Sequence, residues 1–179
     1  MSIYVNPLYI NSSFQNELMS LNYEEILNKI SVILKEKNLK IATSESCTGG
    51  LISHTLTNIS GSSEYFDRGI VSYSNKSKTE LLGVPEELLE KFGAVSEQVA
   101  KAMAGAVRKR SNVDIGLATT GIAGPTGGTK EKPVGLVFIS ISSINKTIVK
   151  KFQFSGNRLE NKKSTCNAAL KMLLDFISI

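Results

Sequence analysis

Ser46 stands in the segment Thr43-Ser-Glu-Ser-Cys-Thr-Gly-Gly50, and a serine hydroxyl becomes a nucleophile only beside a base that takes its proton. The usual base is missing. The single histidine, His54, lies eight residues on, and on a shared helix the two would stand about 12 Å apart. A nucleophile elbow is excluded as well, because Ser44 and Thr48 occupy the flanking positions that must be glycine. The base has to be an amine. Lys78, in Tyr73-Ser-Asn-Lys-Ser-Lys78, is expected in the first turn of a helix, near the positive end that disfavours its charge and lowers its pKa. Tyr73 should close the preceding strand, where a phenol that donates and accepts at once can hand protons between Ser46 and Lys78 or orient both. Taken singly, each residue has a plainer reading: Ser46 as a helix cap, Tyr73 as strand-end packing, Lys78 as a solvated helix lysine.

Other chemistries are excluded by spacing. Lys78 follows Tyr73 by five positions, one more than in Tyr-x-x-x-Lys, and no Gly-x-Gly-x-x-Gly follows the first strand, which disfavours a nicotinamide-cofactor oxidoreductase. Gly121-Ile-Ala-Gly-Pro-Thr-Gly-Gly128 never places Gly-Lys-Ser or Gly-Lys-Thr as a P-loop requires. Its four glycines can still present successive N–H groups to a phosphate or an oxyanion, or form only a tight turn. Cys47 reads as a small residue packed at a buried helix start. Two distant cysteines and one histidine make a zinc site improbable, so no metal and no cofactor are expected.

These residues need a scaffold, and 179 residues, 41% of them hydrophobic, fill one core. The +5 net charge is spread along the chain, which suits solvated surface better than a nucleic-acid footprint. No apolar run reaches membrane-span length and no Lys or Arg precedes Lys29, so the expected location is the cytoplasm, away from membranes.

Residues 1–21 show neither alternation nor a helical stripe and are expected to form a flexible extension before a domain over 22–179. Asn22 and Glu25 have capping-box spacing and open a helix near 23–37. The pattern then predicts a strand over 40–43, a helix from Gly49 through Ile59, a strand over 69–73, and a helix from Asn75 to Gly83. A short helix with Pro85 at its first position follows, then a longer one from Ser96 ending in Arg108-Lys109-Arg110, cations that suit a helix C-terminus. Strands are expected over 113–119, 134–141 and around Ile148 to Phe154, the last half-exposed and hairpin-paired, before a closing helix capped by Asn157 and Glu160. Alternation of this kind predicts one layered α/β domain with a mixed, partly parallel sheet flanked by helices.

Four segments together resemble the CinA carboxy-terminal domain family. They are Glu45-Ser-Cys-Thr-Gly-Gly50; Tyr73-Ser-Asn-Lys-Ser-Lys78 with Leu81-Leu-Gly-Val84; Gly93-Ala-Val-Ser96 with Ala100 and Met103-Ala104; and Thr120-Gly-Ile-Ala-Gly-Pro-Thr-Gly-Gly128 with Lys132-Pro-Val-Gly135. The resemblance runs from about residue 23 to the end and implies a metal-independent nicotinamide-nucleotide amidase whose Ser-Tyr-Lys set maps to Ser46, Tyr73 and Lys78. A nucleotide substrate is then expected near Cys47, Thr48, Gly49, Thr120, Gly121, Gly124 and Arg158, with the Gly121–Gly128 loop and Arg158 as candidates for its phosphate and the amides after Ser46, at a helix start, as oxyanion donors. A homo-oligomer is expected by the same analogy. Thr126 stands where the family often has Asp, and Lys162 where many members have Arg. Many members carry a molybdopterin-binding-like domain upstream, and only the amidase half is expected here. The alternatives are a non-catalytic nucleotide- or partner-binding module linked to competence or DNA damage, and an amidase for another small amide.

Overall fold

A computed structural model describes residues 22–178. The expected extension over 1–21 lies outside the described residues. Five strands, β1 (Ile41–Glu45), β2 (Phe66–Val71), β3 (Ile115–Gly121), β4 (Leu136–Ser142) and β5 (Thr147–Gln153), form one sheet in the order β2-β1-β3-β4-β5. β1 runs parallel to β2 and β3, whereas β3–β4 and β4–β5 are antiparallel. The sheet is mixed, as the pattern predicts.

Six helices among the described residues cover its two faces: α1 (Tyr23–Glu36), α2 (Leu51–Leu56), α3 (Asn75–Leu82), α4 (Glu86–Phe92), α5 (Glu97–Ser111) and α6 (Arg158–Ile177). Successive strand residues point to opposite faces, so Ile41 and Leu117 join Leu27, Ile30, Ile52 and Leu170 beneath α1, α2 and α6. Ala42 and Ala118 join Leu82, Leu89, Val99 and Met103 beneath α3, α4 and α5. The alanines let α5 lie close to the sheet.

Helix ends follow local chemistry. Asn22 with Glu25 and Asn157 with Glu160 form the expected capping boxes, and Ser74 with Ser77 forms a third ahead of Lys78. Pro85 is the N-cap of α4, one position earlier than its spacing predicts. Tertiary pairing moves several other boundaries. β1 continues to Glu45 because Ser44 and Glu45 pair on both sides, with Ile70 and Val71 and with Ala118 and Thr119. β2 ends at Val71, leaving Tyr73 beyond it. α2 spans six residues and stops at Thr57, well short of Ile59.

The chain passes from β1 to β2 on one side and later returns to β3 on the other. In such sheets a crevice opens where the strand order reverses, at the carboxyl ends of the strands. Ser46 immediately follows β1 at that point, and the glycine-rich loop follows β3.

Candidate active site

Ser46 is buried in a turn between β1 and α2, anchored by its own N–H to the Thr119 carbonyl at 3.0 Å. Gly49 closes the turn by donating to the Ser46 carbonyl at 3.2 Å, with its own φ at +61°. Gly50 follows at φ +94° and caps α2. Two consecutive left-handed residues explain the Gly-Gly pair, since a Cβ is strained there.

Glu45 organises what comes next. Its fully buried carboxylate accepts from the N–H groups of Gly50 (3.0 Å), Ile52 (3.1 Å) and Ser53 (2.8 Å), and from the Ser53 hydroxyl (2.6 Å). The start of α2 is therefore occupied by the protein's own anion. The amides of Gly50, Ile52 and Ser53 are thereby engaged by Glu45. The Thr48 hydroxyl lies 2.8 Å from that of Thr119, tying the turn to β3.

Lys78 sits in the first turn of α3 with 1% of its surface exposed. Its Nζ lies 3.0 Å from Ser46 Oγ, 2.8 Å from the Ser72 carbonyl and 3.2 Å from the Tyr73 carbonyl. A neutral amine has two N–H bonds and one lone pair; the two carbonyls accept the N–H bonds, so the lone pair faces the serine hydroxyl. Burial lowers the Lys78 pKa from 10.5 to about 8. Desolvation of the charged form is the dominant cause, where the sequence pointed to the helix end.

Tyr73 is placed differently. Its side chain is not inserted between Ser46 and Lys78: the residue is 57% exposed, and its phenol oxygen accepts from Arg158 Nη2 at 2.7 Å. Its backbone carbonyl, by contrast, holds Lys78. Arg158 Nη1 donates to the Gly124 carbonyl at 2.8 Å, so one guanidinium joins the Tyr73 wall to the glycine-rich loop.

The remaining candidates divide between lining and support. Thr120 donates to the Ala94 carbonyl at 2.7 Å, fastening β3 to the turn before α5. At Gly121 an added Cβ would lie 2.6 Å from Val137 Cγ2 and 2.7 Å from the Leu136 carbonyl oxygen, so this glycine serves the packing of β3 on β4. Gly124 has φ +86° and presents its carbonyl to Arg158. Cys47 is buried, and desolvation pushes its thiol up to about 12, far from a reactive thiolate.

Two contributors escape a reading of spacing alone. Glu45 appears in the motif, but its capping role depends on a turn whose shape only the fold reveals. Asn161, buried on α6, donates to the Ala123 carbonyl at 3.0 Å and accepts from Gly156 N–H at 3.0 Å, fixing the glycine-rich loop. Lys162 extends over the serine turn, its Nζ 3.5 Å from where a Gly49 Cβ would stand. Among the described residues no three His, Cys, Asp or Glu side chains converge as a metal site, and no helix is long and apolar enough to cross a membrane.

Fold and site together define a three-layer α/β domain with a buried Ser–Lys pair at the carboxyl ends of its parallel strands. The CinA C-terminal domain matches residues 23–177, and the chain belongs to that family. A CinA-like protein of Syntrophus aciditrophicus is 47% identical over 165 residues, covering 92% of this chain and 39% of the relative. A CinA-like protein of Kosmotoga olearia is 49% identical over 155 residues, covering 86% and 37%. The chain thus spans well under half the length of these relatives. Among solved structures, the competence/damage inducible protein CihA from Agrobacterium tumefaciens superposes with a TM-score of 0.83 at 43% identity, covering 85% of this chain and 93% of that one. A CinA superfamily protein from Enterobacter cloacae gives 0.85 at 29% identity, covering 98% and 99%.

Proposed function

We propose that the chain is a serine amidase that hydrolyses the carboxamide of nicotinamide mononucleotide to the carboxylate and ammonia. The observation that carries this reading is the Lys78 amine, 3.0 Å from Ser46 Oγ with its N–H bonds taken by two carbonyls. Ser46 Oγ attacks the carboxamide carbon while its proton passes to Lys78 Nζ. The amides of Cys47 and Thr48 receive the oxyanion. Collapse breaks the C–N bond as Lys78 returns the proton to the leaving nitrogen, releasing ammonia and leaving an ester on Ser46. Water then attacks the ester, gives its proton to Lys78, and frees the carboxylate and the serine.

A phosphate-bearing substrate is supported by the surrounding charge. Arg158 and Lys162 lie one turn apart on α6, and neither has a carboxylate partner among the described residues. A phosphate accepts from a guanidinium and neighbouring donors together.

The test is ammonia release from nicotinamide mononucleotide, nicotinamide and glutamine, comparing wild type with Ser46→Ala and Lys78→Ala. The mononucleotide should be preferred, Ser46→Ala should be silent, and Lys78→Ala should lose roughly 10²–10⁴ in rate. Release that persists in Ser46→Ala overturns the mechanism; a preference for nicotinamide or glutamine overturns the substrate.

A further inference from the structure

Resting on that reading, we infer that the Arg158–Tyr73 contact is a specificity element: the substrate's phosphate draws Arg158 away from the phenol, and only then is Tyr73 free to serve the Ser46–Lys78 pair. The contact is unequal in kind. A guanidinium bonded to a neutral phenol and a peptide carbonyl, at 2.7 and 2.8 Å, has two weak acceptors where a phosphate dianion offers strong, bidentate ones. Both partners are solvent-accessible, Tyr73 being 57% exposed, so an incoming anion can reach them. The Lys162 cation one turn along α6 adds to the attraction.

Tyr73 is also the residue whose carbonyl holds Lys78 Nζ. The phenol therefore hangs from the base's own support, and its bond to Arg158 holds it in an exposed position. Anion occupancy and phenol position are linked, and linkage is reciprocal. The phosphate then contributes to turnover as well as to binding, so a phosphate-free analogue fails in kcat as well as in KM. Arg158 acts as a positioning residue through Tyr73.

The experiment uses nicotinamide riboside, which carries the same carboxamide without the phosphate, with inorganic phosphate supplied separately. Wild type should hydrolyse the riboside slowly, and phosphate should raise kcat/KM about tenfold or more. Arg158→Ala should hydrolyse the riboside at the phosphate-activated wild-type rate and ignore added phosphate; Tyr73→Phe should show no activation. Riboside turnover unaffected by phosphate, in a wild type active on the mononucleotide, overturns the inference and spares the proposed function. An independent readout needs no turnover: with ¹³C-tyrosine labelling, phosphate should shift the Tyr73 ring resonance, assigned by Tyr73→Phe, in wild type but not in Arg158→Ala. Absence of that shift overturns the inference even if the mononucleotide is not a substrate.

Discussion

Lys78 Nζ meets Ser46 Oγ at 3.0 Å although the two residues are 32 positions apart. The parallel pairing of β1 and β2 brings their ends side by side, with Glu45 opposite Val71. Ser72 then accepts from Lys78 and donates to the Glu45 carbonyl, so the base and the nucleophile are held by consecutive links of one backbone ladder.

That arrangement sets the pH dependence. Protonated Lys78 cannot accept the serine proton, and burial lowers its pKa from 10.5 to about 8. The log of kcat/KM for the mononucleotide should rise with unit slope up to about pH 8 and level above it. Lys78→Ala should lose roughly 10²–10⁴ in kcat. A break at pH 10 would show that the amine is solvated.

The same shift appears in stability. With the folded pKa below the unfolded one, the unfolded chain holds more protons between about pH 8 and 10.5, so stability rises with pH through that window. Denaturant unfolding of wild type and Lys78→Ala across it should diverge in wild type's favour as pH increases. A constant difference would remove Lys78 as the cause.

Glu45→Gln should weaken the fold and the site together. A neutral amide places an NH₂ against some of the four donors that the carboxylate accepts, a loss of about 3 kcal/mol. For a domain of this size the fall in Tm is roughly 6–12 °C, read by calorimetry, with kcat reduced in the folded fraction. An unchanged Tm would show that α2 does not depend on this cap.

Both cysteines should resist thiol reagents in the native protein. Burial raises Cys47 to about 12 and Cys166 to about 11, so neither holds thiolate near neutral pH. Disulfide-exchange labelling at pH 8 should proceed only after guanidinium unfolding, and amidase activity should survive the reagent. Rapid inactivation would place a reactive thiol at the site.

Gly121→Ala separates packing from substrate contact. The new methyl meets Val137 and the Leu136 carbonyl, an overpacking cost of about 1–3 kcal/mol. The denaturation midpoint should fall while KM of the folded enzyme stays within about twofold. A large KM change at unchanged stability would restore Gly121 to the binding surface.

What the sequence by itself determined were the features that depend on neighbours along the chain. Capping boxes at Asn22 and Asn157, the helical stripes, and the mixed α/β architecture are legible because periodicity and cap chemistry act over a few residues. The expectation of an amine beside Ser46 also came from the sequence, whose one histidine is badly placed, and Lys78 Nζ lies 3.0 Å from Ser46 Oγ. What only the tertiary structure decided depends on partners distant in sequence. β1 reaches Glu45 because neighbours on both sides extend its ladder, and α2 is short although its apolar pattern runs on. Lys78 is depressed by burial that no local pattern encodes. The Tyr73 phenol meets Arg158, 85 residues later on α6, a meeting set by strand order and layer packing.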